Sequence, residues 1–227
     1  MIEDEAIFSI MSKCFAPIDE REWQALAKGA TWSGFLDGVR RAMQDEKTFG
    51  CSTGAFQRAA RRCPLQDFLS AGEVRALFAP PSFDEKRQFA ARHFAGGLPE
   101  SAVPVESLYV RWSQSVSNQA PFSHAKGLYR GDSALYMSEL IERLGLTLPE
   151  PFASCPDHLA IELDLVAVLL RSGMREEARC YLAERFEWLT AYRMRLLALG
   201  EEASFYVGLV DVILGIRAQQ GVRQASA

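Results

Sequence analysis

Ser154-Cys155-Pro156-Asp157-His158-Leu159-Ala160-Ile161-Glu162-Leu163-Asp164-Leu165-Val166-Ala167-Val168-Leu169-Leu170 is the stretch whose reading decides the fold. Leu159, Leu163, Val166 and Leu170 recur at steps of four, three and four, the spacing of one face of an α-helix. A second row, Ile161, Leu165, Val168 and Leu169, widens the apolar surface and predicts a helix near the centre of the molecule. Ser154 is expected to cap it, with Asp157 three residues on as in a capping box. Pro156 suits a first turn, where a missing N–H costs little. His158 and Glu162 stand four apart on the same side. Asp157 falls in the first turn, where free amide groups favour a carboxylate.

Downstream the chain stays helical. Glu176 to Leu189 is expected to pack through Ala178, Tyr181, Leu182, Phe186 and Leu189, and Trp188, Tyr192, Leu196 and Leu197 continue that surface. A turn near Gly200 precedes Phe205, Leu209, Val212, Ile213 and Ile216, and residues 219–227 are expected to fray. Upstream, residues 146–153 read as an extended lead-in. Before them lies a helix starting at Asp132 or Ser133, with Leu135, Tyr136, Leu140, Ile141 and Leu144 inward and its end at Gly145. Residues 123–130 read as a short helix, and the polar stretch 113–123 as a hinge. Ala102 to Trp112 reads equally as strand or short helix.

Nearer the N-terminus, Ser82 or Asp84 is expected to cap a helix carrying Phe83, Phe89, His93 and Phe94, closed by Gly96-Gly97-Leu98-Pro99. Residues 65–78 read as two short helical pieces, 56–63 as a basic turn of helix with Arg58, Arg61 and Arg62, and 44–55 as a loop. Asp19 caps a second helix, which a break near Gly29 would divide in two. Residues 5–15 form the first helix, stopped by Pro17. With no run of alternating strands and no internal repeat, the pattern is all-α: a single-domain bundle of about ten helices over residues 1–227.

The 227 residues are 48% hydrophobic, enough for a real core, and the formal net charge of −4 argues against a dedicated nucleic-acid binder. Trp23, Trp32, Trp112 and Trp188 are too scattered for a base-stacking platform, and most read as core or as seals of a helix–helix contact. Cys14, Cys51, Cys63, Cys155 and Cys180 are odd in number and widely spaced, like neither a disulfide scaffold nor a zinc knuckle. The acidic start, Met1-Ile2-Glu3-Asp4-Glu5, lacks the basic and apolar regions of a signal peptide, and no apolar run reaches membrane-spanning length. Together these predict a cytoplasmic protein with no stable membrane insertion.

The polar cluster at the head of the central helix admits several chemistries. Asp157, His158 and Glu162 would serve a small helical enzyme with His158 as general base. Ser154 and Cys155 are the nucleophiles nearby, but no nucleophile-elbow signature surrounds them. A metal would have His158 and Glu162 but not the second histidine of His-Glu-x-x-His. Alternatively the groups satisfy buried helix ends, or form a polar recognition cluster in an apolar groove. No metal ligand set and no cofactor motif is read; Gly96-Gly97 lacks the spacing of a phosphate loop.

Cys155-Pro156-Asp157-His158-Leu159-Ala160-Ile161-Glu162-Leu163 resembles the signature of the cytoplasmic chaperones of exported molybdenum enzymes, the TorD/DmsD/NarJ group, which reads roughly Glu-Pro-x-Asp-His-(Ile/Leu)-x-x-Glu-Leu. Asp157, His158, Glu162 and Leu163 match by position. The proline is displaced by one, and the glutamate before it is missing, since this chain reads Ser154-Cys155. Pro104-Val105-Glu106-Ser107-Leu108-Tyr109 is similar to the family's second element, Pro-x-x-Glu-Ser-x-Tyr, and the helices from about residue 89 onward fall in family order.

The resemblance implies an all-helical, TorD-like, non-enzymatic cytoplasmic protein. Its partners would be an apo molybdenum oxidoreductase and that enzyme's twin-arginine signal peptide. It would hold the client while molybdopterin guanine dinucleotide is inserted and so delay export. It would place Pro104, Glu106, Ser107, Tyr109, Asp157, His158 and Glu162 around a peptide-binding groove, in a monomer or domain-swapped dimer. In that arrangement carboxylates at Asp157, Glu162 or Glu106 would pair with the leader's guanidinium groups, and Asp157→Ala would weaken peptide binding more than folding. A non-catalytic scaffold of an electron-transfer complex is the other non-enzymatic reading, with Asp157 and His158 as internal struts.

Overall fold

The computed structural model describes residues 4–44, 78–96, 98–113 and 124–224. Among these residues the chain forms nine α-helices: α1 (Asp4–Phe15), α2 (Glu20–Ala27), α3 (Gly29–Gln44), α4 (Phe83–His93), α5 (Asp132–Arg143), α6 (Leu159–Arg171), α7 (Arg175–Arg185), α8 (Leu189–Leu197) and α9 (Ser204–Gln224). Short 3-10 turns lie at Glu106–Leu108, Glu150–Phe152, Phe186–Trp188 and Glu201–Ala203. The only extended pairing among the described residues is one antiparallel bridge between Val105 and His158. The expected all-α bundle is the fold. The hinge at 113–123, the basic turn at 56–63 and the loop at 44–55 fall almost wholly outside the described residues, as do the helical pieces expected at 65–78 except Phe78.

α6 is the centre. Leu159, Ala160, Ile161, Leu163, Leu165, Val166, Ala167 and Leu169 are all buried, so nearly every side of this helix meets protein, as its apolar rows require. α1 lies along it and contributes Ile7, Phe8, Met11, Cys14 and Phe15. The Ser12 hydroxyl donates to the Ala160 carbonyl at 2.8 Å, pinning the two helices together. α7 packs on the other flank of α6, and α9 covers α3, α7 and α8. Trp23, Trp32 and Trp188 are core residues, as expected. The indole N–H of Trp23 donates to Pro81 and that of Trp32 to Phe78, which satisfies their polar edges.

Local signals held where they were short-range. Asp19 caps α2 by accepting from the Glu22 N–H, and Ser82 with Glu85 forms a complete capping box on α4. The break at Gly29 is real. The head of α6 differs. The helix starts at Leu159, capped by His158, so Ser154 is not the cap and Asp157 lies ahead of the first turn. The cause is tertiary: Val105 pairs with His158 and holds that stretch extended. Residues 124–130 form turns and no helix, the lead-in to α6 contains the 3-10 turn at Glu150–Phe152, and α9 continues to Gln224. α5 is rotated from the expected face: Ala134, Met137 and Ile141 are inside, whereas Leu135 and Tyr136 are exposed. Leu197 on α8 is also exposed.

Candidate functional site

Residues 102–109 cross the mouth of α6 and are fastened to it by main-chain bonds. The Ala102 N–H donates to the His93 carbonyl at the end of α4, 2.6 Å. The Pro104 carbonyl accepts from the Leu159 N–H at 2.8 Å, satisfying one of the amides that a helix start leaves open. The Glu106 N–H donates to the Asp157 carbonyl at 3.0 Å. The chain then enters the 3-10 turn Glu106–Leu108, and Asp157 holds its first residues. Asp157 Oδ2 accepts from the Ser107 N–H at 2.8 Å and from the Ser107 hydroxyl. One residue on, His158 Nδ1 accepts from the Ala160 N–H at 3.1 Å and caps α6. The two signature stretches therefore meet, each closing the open end of the other's helical turn.

This splice is interior. Asp157, Ser107 and Glu162 are fully covered, and Glu106 is only 3% exposed. The expected groove-facing carboxylates instead find partners within the fold. Glu106 Oε2 lies 2.5 Å from Arg185 Nη2 of α7, and Glu162 Oε2 accepts from the Trp188 indole N–H at 3.3 Å. Burial pushes both glutamate carboxyls up: Glu162 goes well up, with Glu106 and Asp157 adding to the rise, while for Glu106 the Arg185 guanidinium and the Glu162 carboxyl oppose it. Pro104 is likewise buried. No carboxylate of the three reaches the surface.

Tyr109 is the signature residue that faces outward. Its ring stacks on Trp188, with centroids 5.4 Å apart and planes at 24°, and meets Tyr192 edge-on. It lines an open groove of about 250 Å³ together with Val103, Leu108, Tyr129, Gly96 and Arg195. The far wall comes from residues 125–129, held by Gly127 N–H to Leu108 carbonyl at 3.1 Å and Trp112 N–H to Ala125 carbonyl at 2.9 Å. Arg195 of α8 donates through Nε to the Ser101 carbonyl at 2.7 Å and through Nη2 to the Pro99 carbonyl, fixing the near rim. Tyr129, Leu98 and Leu128 carry exposed apolar surface beside the opening. Burial raises the Tyr129 phenol, and the nearby Cys155 and Asp157 raise it further.

Tyr129, Val103, Leu108 and Arg195 are not singled out by the sequence: the first three lie in irregular segments or a 3-10 turn that carry no periodicity, and Arg195 is a charged residue of α8 with no motif around it. The aromatic held between glycines in Gly127-Leu128-Tyr129-Arg130-Gly131 was the available signal.

His158 is committed to its cap. A nitrogen that accepts from Ala160 carries no proton, so the ring is neutral with hydrogen on Nε2. Burial lowers its pKa to about 4. The ring packs against Phe152, centroids 4.9 Å apart. Burial raises the Cys155 thiol, the opposite of what an activated nucleophile needs. Among the described residues no group of three His, Cys, Asp or Glu side chains is placed to hold a metal ion, and no helix is long and apolar enough to cross a membrane.

The bundle and its groove define a class: all-helical proteins with an open groove beside a spliced helix head. Comparison with known proteins gives the family. The family model described as nitrate reductase delta subunit matches residues 64–199. A chaperone protein TorD from Shewanella amazonensis (strain ATCC BAA-1098 / SB2B) is 31% identical over 179 residues, which cover 70% of this chain and 75% of that protein. The chain belongs to this TorD/NarJ-like chaperone family, whose members serve molybdoenzyme maturation and are typically non-catalytic.

Proposed function

We propose that the chain acts in the cytoplasm, where it binds the twin-arginine signal peptide and apo form of a molybdenum oxidoreductase, supports cofactor insertion and delays export until the cofactor is in place. The observation that carries this reading is the groove beside Tyr109, an apolar slot on the outer side of the signature splice. The leader's apolar segment fills the slot between Tyr109 and Tyr129, where two aromatic rings give large contact area at little entropic cost. Near Tyr129, Asp157 Oδ1 is buried and meets no donor among the described residues. A guanidinium reaching past that ring would supply one, which keeps Asp157 in the peptide's reach although it is covered in the free chain. Glu106, Ser107, His158, Glu162 and Pro104 hold the wall in place.

Calorimetry with synthetic twin-arginine leaders of molybdenum oxidoreductases tests this. Tyr129→Ala and Tyr109→Ala are expected to weaken binding by roughly tenfold or more, as loss of a buried aromatic anchor does. Thermal unfolding run alongside separates binding from folding. Equal binding by both variants and the parent would remove the groove from the reading, and absence of binding by any leader would remove the function.

A further inference from the structure

At the foot of the Tyr109 wall, three buried carboxyl groups lie close together, and two of them, Glu106 and Glu162, face one guanidinium. Glu106, Asp157 and Glu162 are 3%, 0% and 0% exposed, and Arg185 is the cation among them. Asp157 is answered by the N–H and hydroxyl of Ser107, and Glu106 by Arg185. Glu162 has only the Trp188 indole on Oε2; its Oε1 is buried with no donor opposite it among the described residues. A second full negative charge here would lack a counter-ion, and burying an unpaired ion costs far more than burying a neutral acid.

We propose that Glu106 and Glu162 share a single proton, as carboxylate and carboxylic acid, and that this pair, countered by Arg185, fixes the groove wall that carries Tyr109. With the proton on Glu162 Oε1, that oxygen becomes the donor that Glu106 accepts, and the orphan is resolved. Side-chain hydrogen bonding between the two carboxyls and the raised pKa of each agree with this. The groups facing the pair are Arg185 and Tyr181 from α7, Trp188 from the turn after it, Ser133 of α5, and Asp157 from the lead-in to α6. Tyr136 of α5 lies against the Arg185 guanidinium at 4.6 Å. The consequence reaches the groove because the Glu106 carbonyl accepts from the Tyr109 N–H at 2.8 Å. Losing the proton sets two carboxylates against each other beneath that turn and loosens the wall.

A carboxyl whose pKa is higher folded than unfolded stabilises fully below the unfolded value and loses that stabilisation as pH rises through the folded one. Infrared difference spectra of the full chain at neutral pH are expected to show the carbonyl stretch of an un-ionised carboxylic acid. Glu162→Gln, a neutral isostere, removes that band. Glu106→Gln removes it too, because Arg185 is then free to pair with an ionised Glu162. The melting temperature of the parent is expected to fall relative to Glu162→Gln as pH rises above the ordinary carboxyl value of 4.5.

A parent spectrum without the band, a band that survives Glu162→Gln, or identical pH slopes would overturn the shared proton. The link to the groove rests on the peptide-binding reading. Affinity for a synthetic twin-arginine leader should weaken severalfold over that rise in pH in the parent and stay level in Glu162→Gln. Equal pH dependence of binding in both overturns the link. No binding by either protein at any pH sinks the peptide-binding reading, while the infrared result still decides the proton.

Discussion

Asp157 and Ser107 stand fifty residues apart and meet twice, through the main-chain N–H and the hydroxyl of Ser107, both on Asp157 Oδ2. Both residues are fully covered. The contact joins the head of the central helix to the segment that builds the groove wall, so the first cost of breaking it falls on folding.

Asp157→Ala leaves a buried N–H and a buried hydroxyl without an acceptor. It is expected to destabilise the chain by about 2–3 kcal/mol, the range for buried hydrogen bonds to a charged group. Ser107→Ala removes only the hydroxyl and is expected to cost about 1 kcal/mol. Urea unfolding of both single variants and the double variant checks the assignment. A coupling energy of about 1 kcal/mol or more marks a direct pair, and simple additivity would contradict the geometry.

The His158 cap gives the chain a pH dependence on its acid side. The ring is neutral in the fold, with its pKa lowered to about 4 from 6.5 by burial. The unfolded chain therefore takes up the proton first, and stability present above the unfolded value is lost as pH falls from about 6.5 towards about 4. The loss amounts to about 3 kcal/mol at most. Asn also caps helices well and does not titrate, so His158→Asn is expected to flatten the pH profile in that window while keeping α6. Parallel profiles for the two proteins would show that the ring is already charged or solvated in the fold.

α5 offers a direct check on which face is inside. Leu135 is 61% exposed and Met137 fully buried, the reverse of the pattern expected from the apolar spacing. Met137 also receives the Tyr181 hydroxyl on its sulfur at 2.9 Å. Met137→Ala is expected to cost about 2–5 kcal/mol and Leu135→Ala less than about 0.5 kcal/mol in chemical denaturation. Similar costs at the two sites would restore the original face.

That reversal shows where the sequence stopped being legible. Helix α6 was readable because two apolar rows over twelve residues admit one conformation, and the caps at Asp19 and Ser82 because each acts on its own next turn. The head of α6 was not readable: the residue that fixes His158 in extended form is Val105, over fifty positions earlier. Tyr136 looked like core by spacing, yet its ring lies against Arg185, which in turn is drawn to Glu106. The signature residues were found, but their depth was not, since a carboxylate's partners at Arg185 and Trp188 come from elements that no local pattern connects. Lys86 was missed for the same reason. It is 5% exposed, with Nζ donating to the Ala16 carbonyl at 2.7 Å and lying over the Trp23 ring.

Two glycines separate the framework of the groove from its exposed lining. A Cβ at Gly131 would come within 2.5 Å of the Trp112 carbonyl oxygen, a main-chain atom held in place by the Asp132 N–H at 2.8 Å. Nothing there can yield cheaply, so Gly131→Ala is expected to cost about 1–3 kcal/mol, the range for overpacking. A Cβ at Gly96 would meet only the Tyr129 hydroxyl, 2.8 Å away, at the free end of a half-exposed side chain. Gly96→Ala is expected to leave the melting temperature within about 2 °C of the parent while turning Tyr129 aside, because a surface change of under about 0.5 kcal/mol moves a domain of this size by no more. Tyrosine fluorescence and leader-peptide titration report that displacement. The expected pairing is lost stability with normal affinity per folded molecule for Gly131→Ala, and normal stability with altered affinity for Gly96→Ala. If Gly96→Ala binds like the parent, Tyr129 does not touch the peptide, and the groove's far wall has to be sought elsewhere.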